Sequence, residues 1–496
     1  MKNKGNVGSE RKNDTHTVQK DYAKNLDFLK KELGYGKSFD MIHLELQYAG
    51  KNMGLFVIDG FGKDKILHWL MRELSGLEEE QLEPDPIDKL LKTYLPYIEL
   101  KKSKDLDSAV WWVLSGACCL VVEGTDEVII IDARTYPVRS PNEPDLERVV
   151  RGPHDGFVET IIFNTALTRR RVRDNSLRME YLRIGKRSKS DICLSYIDDI
   201  ADPRMVKHLR KSLKKISTDG LAMGEKTIDE FLTGRNWNPY LTVRYTERPD
   251  TAAVHLFEGH VLVMVDGSPS VIITPMTFWG NLQYPEEYRE RPVVGGYIRF
   301  ARYFAVLMSI FLLPLWFLFA SHPEMLGDQM SFIGVKKPGE VPLFVQVILI
   351  ELGIDILRMA TVHTPKEMAG ALGLIAAIVI GQTAVQVGLF TNEVILYLAL
   401  AAIGTFATPS YETGLANRLS RLALFIVTAI FGAPGFVIGT LCWVLMLVRM
   451  KSFDVPYMWP IIPFSPRSAA DVVIRKAMPL KNRRPVMLHT EDPDRK

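Results

Sequence analysis

The sequence predicts an α+β cytoplasmic N-terminal region, built from two α/β-type subdomains, followed by an α-helical multi-pass membrane domain. Three observations lead to this fold class. Strand-like and helix-like patterns alternate up to about residue 297, long apolar runs follow, and charged residues are divided unequally between the two parts. Residues 298–449 contain 17 charged residues, whereas the other 344 residues contain 102. Such a depletion of charge is typical of helices in lipid.

The chain divides into five predicted parts. Residues 1–38 lack the apolar stretch of an export signal and predict a disordered tail. Residues 39–134 and 135–297 are the two subdomains, joined by a linker that Pro137, Pro141 and Pro144 punctuate. Residues 298–450 form the membrane domain, and residues 451–496 form a C-terminal tail. Because a large domain precedes the first membrane segment without an export signal, we expect that domain to be cytoplasmic.

Each subdomain alternates predicted strands and helices. In the first, NMGLFVIDGF indicates a buried strand, KDKILHWLMREL and SAVWWVLSG indicate helices, and ACCLVVEG with EVIIIDAR indicates a hairpin. In the second, LRMEYLRIG and SDICLSYID are predicted strands. Asp202 and Pro203 are placed to cap and start a helix over DPRMVKHLRKSLKKI. The stretches AAVHLFEG, HVLVMVDG and SVIITP predict a meander.

The N-terminal region shows no pattern typical of a catalytic or metal site. The stretch LAMGEKT resembles a phosphate loop, but the spacing from Gly220 to Gly224 is one residue short. The four cysteines have neither metal-ligand nor disulfide spacing. The basic run TRRRVR predicts a solvated, subunit-facing or lipid-attracted surface, without the aromatic residues of a nucleic-acid site. We therefore expect no enzyme, no cofactor, no metal and no nucleic-acid partner.

Five apolar runs predict membrane segments at about 300–320, 341–359, 368–390, 394–411 and 422–448. Basic residues before the first run and after the last place both ends on the cytoplasmic side, which five complete crossings do not allow. The stretch FGAPGF offers a solution, because Pro434 with Gly432 and Gly435 breaks a helix. We expect a broken or re-entrant hairpin there. The alternative is that the charged second run does not cross.

The third run carries a stripe of small residues at helical spacing, namely Gly373, Ala377, Gly381, Ala384 and Gly388. Small side chains let helices approach closely, so the stripe predicts a helix-packing face. Three polar residues lie beside the stripe: Gln382, Thr383 and Gln386. They indicate either hydrogen bonds between helices or the lining of an aqueous path.

The second run ends in ELGIDILRM, where Glu351, Asp355 and Arg358 fall on one face of a helix. A charge in the middle of a bilayer costs roughly 3 kcal/mol, so we expect this face to be shielded from lipid. Three arrangements satisfy that expectation. The charges emerge at the cytoplasmic interface, or they form a buried ion-pair set, or Glu351 and Asp355 face a cation pathway in a ring of subunits.

Three long stretches occur in the order RSPNEPDLERVVRGPHDGFVETIIFNTALTRRRVR, TERPDTAAVHLFEGHVLVMVDGSP and GALGLIAAIVIGQTAVQVGLF. Each resembles a block of the A subunits of spore germination nutrient receptors, the GerA family, and the similarity runs from about residue 39 to 471. The resemblance implies a two-lobed cytoplasmic domain and a multi-pass region in the inner membrane of a Bacillus-type spore. It also implies assembly into an ion-conducting homo-oligomer, a pentamer, that acts in germination.

The resemblance weakens in the second run. Family members read close to EILREAG, whereas this chain has DILRMATVHTP, which keeps the pair Leu357 and Arg358 but places Met359 where the family has Glu. Typical A subunits work with a transporter-like B subunit and a lipoprotein C subunit. The departure favours a small membrane partner, with other germination receptor subunits as the alternative.

Three functions follow from these observations. The first is a cation channel subunit, for which Glu351, Asp355, Gln382, Thr383 and Gln386 are the pathway candidates. The second is a non-conducting scaffold that clusters germination receptors. The third is a secondary transporter, which is weaker because the membrane segments show no inverted repeat.

Overall fold

The computed structural model describes residues 16–62, 64–95, 100–133, 144, 147–234, 237–326, 328–336, 339–364, 368, 370, 373–374 and 377–495. Four parts can be distinguished: lobe 1 (residues 16–133), lobe 2 (147–291), a helical domain (292–449) and a C-terminal segment (450–495). The predicted linker at Pro137 and Pro141 lies outside the described residues, as do the first fifteen residues of the predicted tail.

Lobe 1 is a five-stranded antiparallel sheet with helices on both faces, and its strand order is β1-β2-β4-β5-β3. The strands are β1 (Met41–Tyr48), β2 (Lys51–Ile58), β3 (Leu100–Ser103), β4 (Cys118–Val122) and β5 (Val128–Ile131). The helices are α1 (Tyr22–Glu32), α2 (Asp64–Ser75), α3 (Glu79–Leu82), α4 (Pro86–Lys89), a π-turn (Leu90–Tyr94) and α5 (Leu106–Leu114). Alternate side chains of a strand point to opposite faces of the sheet. Phe56 packs against α1 and α5 on one face, and its neighbour Leu55 packs against α2 on the other.

Lobe 2 has the same architecture, with strand order β6-β7-β9-β10-β8. Its strands are β6 (Leu177–Ile184), β7 (Ser190–Ile197), β8 (Arg244–Thr246), β9 (Val261–Val265) and β10 (Val271–Thr274). Its helices are α6 (Ile161–Arg171), α7 (Pro203–Lys215), α8 (Gly224–Thr233) and α9 (Pro249–Glu258), followed by the short helices α10 (Phe278–Asn281) and α11 (Pro285–Arg289). The predicted start of α7 is confirmed, because the Asp202 side chain accepts a hydrogen bond from the backbone N–H of Arg204.

Three local predictions need correction. The segment AAVHLFEG is helical in α9 and is not a strand of a meander. Part of the predicted disordered tail forms α1, whose Leu29 lies in the core of lobe 1. The basic run TRRRVR is not wholly a surface, because Arg169 is 1% exposed and pairs with Asp40 of lobe 1 at 3.1 Å.

The two lobes correspond residue by residue over a long window. Residues 100–131 align with residues 243–274 without a gap, so that residue n matches residue n + 143. The strand registers agree as well, because Cys118 pairs with Ile131 in lobe 1 and Val261 pairs with Thr274 in lobe 2. The equal topology, register and spacing indicate that one unit occurs twice in the N-terminal region.

The helical domain contains α12 (Pro292–Ser321), α13 (Leu343–His363), a π-helix (Ala377–Thr383) continued by one turn (Ala384–Gln386), α14 (Asn392–Phe406) and α15 (Tyr411–Arg449). Short 3₁₀ turns cover Pro323–Met325 and Asp328–Ile333. α12 leads away from the lobes and α13 leads back. Near the far end, Phe344 stacks on Phe425 beside Phe317, whereas Arg358 lies over Tyr411 near the lobes.

The helix α15 is folded into two arms. Gly432 has φ 62° and ψ −141°, which is not helical, and separates residues 411–431 from residues 433–449. A Cβ built on Gly439 would lie 2.7 Å from Leu424 Cδ1. In a straight helix these residues would be about 22 Å apart, because each residue adds about 1.5 Å. The arms are therefore antiparallel, and the turn between them falls at the Gly432 end of the predicted break.

The C-terminal segment returns to lobe 2. It contains β11 (Lys451–Ser452), β12 (Val455–Pro456), α16 (Pro466–Val473) and 3₁₀ turns at Met478–Leu480 and Val486–Leu488. The Ser452 hydroxyl donates to Thr242 O at 2.5 Å, and the Glu491 N–H donates to Ile200 O at 3.1 Å. Both ends of the helical domain consequently lie next to lobe 2.

Candidate functional site: a buried ion-pair cluster beside an open polar helix face

Glu351 lies at the centre of a buried cluster of charges in the helical domain. The side chains of Glu351, Arg418 and Arg421 are 6%, 9% and 2% exposed. Arg421 Nε donates to one carboxylate oxygen at 2.9 Å, and Arg418 Nη2 donates to the other at 3.0 Å. Both carboxylate oxygens are thus bound by guanidinium groups, which is the condition under which a buried ion pair is tolerated.

The same cluster ties four helices together. Arg421 Nη1 donates to Ser309 O of α12 at 2.8 Å and to Thr405 Oγ1 of α14 at 3.3 Å. Arg418 Nη2 also donates to Glu351 O of α13 at 2.7 Å. Because α12, α13, α14 and the first arm of α15 share these hydrogen bonds, movement of one helix would leave buried charges without partners.

Asp355 and Arg358 continue the charged face of α13 toward the lobes. Asp355 accepts from Arg418 Nη1 but keeps a 47% exposed side chain, and the Arg358 guanidinium stacks over the Tyr411 ring at 4.7 Å. Of the three predicted arrangements, the buried ion-pair set is the one found for Glu351. The alternative in which Glu351 faces a cation pathway is corrected, because two arginines cover the Glu351 carboxylate. Asp355 remains accessible.

The third apolar run presents a different environment. Gln382, Thr383 and Gln386 are all exposed on its surface. A Cβ built on Gly373, Gly381 or Gly388 would meet no atom within 4 Å, so this part of the small-residue stripe is not packed against the chain's own described residues. Ala384 is buried, and the side chain of Ala377 lies outside the described part. The three polar side chains therefore form one open face of the third run.

Tyr240 and Glu287 of lobe 2 both contact the helical domain. The Tyr240 hydroxyl donates to Asn417 Oδ1 at 2.9 Å and accepts from Trp443 Nε1 at 2.9 Å, so it bridges the two arms of α15. Burial raises the pKa of Tyr240 to about 12, so the hydroxyl keeps its proton and remains a donor. At the start of α12, Arg299 Nε donates to the fully buried Glu287 of α11 at 2.7 Å.

Sequence reasoning missed the partners of Glu351. In the sequence Arg418 and Arg421 lie between the fourth and fifth apolar runs, a position that predicts a cytoplasmic connection and gives no hint of a buried partner. Their spacing of three residues places them on one helical face, as Glu351 and Asp355 are on theirs. Two acidic and two basic residues on neighbouring apolar helices are a signal that could have paired them. Tyr240 carried no such signal.

Among the described residues, no group of three or more His, Cys, Asp or Glu side chains could hold a metal ion. In the described part of the helical domain, two segments are long and apolar enough to cross a membrane, Pro292–Ser321 and Tyr411–Arg449, the second of which is folded at Gly432 into its two arms. An 18-residue window of each segment has a mean hydropathy of 2.2. A doubled α/β region followed by these apolar helices, with charges satisfied inside the helix bundle, defines a membrane-associated protein with a large N-terminal region.

The chain belongs to the GerA family. The family profile described as "Bacillus/Clostridium GerA spore germination protein" matches residues 27–487. The chain is 46% identical to stage V sporulation protein AF of Bacillus subtilis (strain 168) over 475 residues, which are 96% of each chain. It is 30% identical to spore germination protein KA of the same organism, over 95% of this chain and 87% of that protein.

One solved structure is also similar. The N-terminal domain of the A subunit of the Bacillus megaterium spore germinant receptor GerK3 aligns with a TM-score of 0.42 and 22% identity. The alignment covers 53% of this chain and 98% of that domain.

Proposed function

We propose that this chain is a subunit of a homo-oligomeric, cation-permeable channel that acts in spore germination, without catalysing a reaction. Family membership supports a role in spore germination, since several relatives carry the name spore germination protein. In this proposal the helices cross the spore inner membrane several times, and the lobes and the C-terminal segment both lie in the cytoplasm. The return of the C-terminal segment to lobe 2 supports this topology, because it requires an even number of crossings.

The open face of the third run carries the proposal of an oligomer. The buried charges of Glu351, Arg418 and Arg421 are satisfied within the chain, whereas Gln382, Thr383 and Gln386 point away from it. Exposed amide groups in hydrocarbon cost several kcal/mol each when nothing accepts their hydrogen bonds. Packing of neighbouring copies around a water-filled centre would supply both hydrogen-bond partners and closely approaching helices. A pentamer is the expected number of copies, and a small membrane partner or other germination receptor subunits are the expected additional partners.

Planar-bilayer recording of the purified oligomer tests this proposal. Replacing Gln382 and Gln386 by Leu should lower the conductance at least tenfold, and Asp355→Asn should lower the preference for cations over anions. Leu441→Met serves as the control, because Leu441 is 62% exposed on the second arm of α15, away from the open face. Conductance that stays unchanged in the Gln382 and Gln386 variant would remove the third run from the pathway. Wild-type protein that passes no ions would favour the non-conducting scaffold.

A further inference from the structure

A large cavity lies between lobe 2 and the C-terminal segment, and part of its wall is the elbow of lobe 2, formed by α10 and α11, that leads into α12. Its volume is about 440 Å³, which is within the range of sites that hold small molecules. Lobe 2 contributes His255, Glu258 and His260, and the elbow contributes the aromatic side chains of Trp279 and Tyr288. A neighbouring cavity of about 280 Å³ shares the wall formed by His255, Glu258 and Tyr288.

The lining of this cavity is strongly basic. Two acidic side chains, Glu258 and Asp471, face six basic ones, namely Arg467, Lys476, Lys481, Arg483, Arg484 and Arg495. The acids are already engaged, because Arg495 Nη2 lies 2.5 Å from Glu258 Oε1 and Lys476 Nζ lies 2.5 Å from Asp471 Oδ1. Positive charge that remains after this pairing favours an anionic ligand.

Arg483 and Arg484 pair with Asp494 and Asp492. Lys481 and Arg467 therefore provide the remaining charge. Within the described part of the chain neither side chain forms an ion pair, and Lys481 lies over the Tyr288 ring at 5.0 Å. His260 adds an uncharged polar group to the same wall. It is 2% exposed, and its Nδ1 has no hydrogen-bond partner among the described residues, although a buried ring nitrogen ordinarily has one.

Comparison of the lobes shows that the fold does not require these polar residues. The positions of lobe 1 that match His255, Glu258 and His260 are Trp112, Ser115 and Ala117, at the same places on α5 and in the turn that follows it. Lobe 1 forms the same helix and the same strand register without histidine or glutamate there. The polar wall of lobe 2 is therefore additional to what folding needs.

We propose that this cavity is a binding site for a phosphate group, carried either by a small soluble molecule or by the headgroup of an anionic lipid. Lys481 and Arg467 hold the phosphate oxygens. The cavity lies beside the first part of α12, because its lining residue Val472 accepts a hydrogen bond from the Tyr303 hydroxyl at 3.1 Å. This position is compatible with either source of the phosphate. The site is independent of whether the chain conducts ions.

Calorimetry of the full-length protein in phosphatidylcholine nanodiscs, titrated with inorganic phosphate, tests the site. The wild-type protein should bind phosphate. The double variant Lys481→Gln/Arg467→Gln should bind at least tenfold more weakly. Lys211→Gln/Lys215→Gln is the matched control, because both lysines are exposed on α7 away from the cavity, and it should bind as the wild type does.

Repeating the titration in phosphatidylglycerol nanodiscs distinguishes the two sources. If the lipid headgroup occupies the site, phosphate should bind the wild type at least tenfold more weakly there than in phosphatidylcholine. If a soluble molecule is the ligand, the two affinities should agree. Absence of phosphate binding in phosphatidylcholine would overturn the site, as would equal binding by the wild type and the Lys481→Gln/Arg467→Gln variant. Neither measurement involves conductance, so its outcome is separate from that of the channel experiment.

Discussion

Lobe 1 and lobe 2 are two copies of one fold that have kept the same backbone and diverged in their polar residues. What they share shows what the fold needs. Asn25 of α1 bonds the backbone of Gln19, and Asn164 of α6 bonds the backbone of Val158, in each case as donor and as acceptor across six residues. These asparagine side chains hold the segment that precedes each helix in place. They supply hydrogen-bond partners to backbone groups that would otherwise have none.

What the lobes do not share lies where each meets its surroundings. In lobe 1 the position that matches His255 is occupied by Trp112. In lobe 2, His255 and His260 line the cavity beside the C-terminal segment. Divergence at this wall, on a sheet with unchanged topology, separates residues needed for folding from residues available for contact. The lesson is that polar residues buried in only one of two repeats mark the surfaces worth testing.

Removal of the ion pair between the lobes should have the largest effect on the free energy of unfolding. Arg169 is buried and donates to Asp40 at 3.1 and 3.2 Å, whereas Lys30, at the matching position of α1, pairs with the 70% exposed Glu45. Arg169→Met should lower the free energy of unfolding by about 3–5 kcal/mol, because Asp40 would remain as an uncompensated buried charge. Lys30→Met should cost below about 1 kcal/mol. Urea titration of the detergent-solubilised protein measures both, and equal losses would contradict the distinction between the lobes.

The next largest effect is a loss of stability at low pH, caused by the two neighbouring histidines of lobe 2. Burial lowers the pKa of His255 to about 3 and that of His260 to about 4, with further lowering of the His255 pKa by neighbouring His260. The unfolded chain, with a histidine pKa of about 6.5, binds more protons than the folded one below that pH. Stability is therefore complete above pH 6.5 and falls as the pH drops toward 4, by about 3 kcal/mol for His260.

Hydrogen exchange of β9 and β10 between pH 7 and pH 4.5, corrected for intrinsic rates, measures this loss. The variant His260→Ala should reduce the pH dependence in lobe 2 and leave the matching strands β4 and β5 unaffected. An unchanged pH dependence in the variant would show that other groups carry the acid sensitivity.

The lobes also show how far sequence reasoning reaches. SAVWWVLSG was predicted as a helix, but the matching AAVHLFEG was predicted as a strand, because a short apolar run buried on most sides has no clear period. Aligning the two stretches would have corrected the second prediction. The shared face of Glu351 and Asp355 followed from helical spacing, and the break near Gly432 followed from Pro434 and the glycines beside it. The partners of Glu351 could not follow, because 67 and 70 residues separate it from Arg418 and Arg421.

The smallest expected effect comes from a glycine that occupies the same position in both lobes. Gly116 has φ 101° and Gly259 has φ 100°, a left-handed conformation that costs a residue with a side chain about 1 kcal/mol or more. A Cβ on Gly116 would lie 2.7 Å from the buried ring of Phe61 in lobe 1. A Cβ on Gly259 would instead lie 2.5 Å from Thr490 Cγ2 of the C-terminal segment.

The two alanine variants should therefore differ in what moves. Gly116→Ala should destabilise lobe 1 itself, since Phe61 belongs to its core. Gly259→Ala should displace the C-terminal segment, which is held through contacts such as that of Arg484 Nε with Phe257 O at 2.9 Å, and should weaken phosphate binding at the cavity beneath it. Hydrogen exchange of residues 484–495 distinguishes these outcomes: it should accelerate in Gly259→Ala and stay unchanged in Gly116→Ala. Equal protection of those residues in both variants would mean that the segment is held independently of the turn after α9.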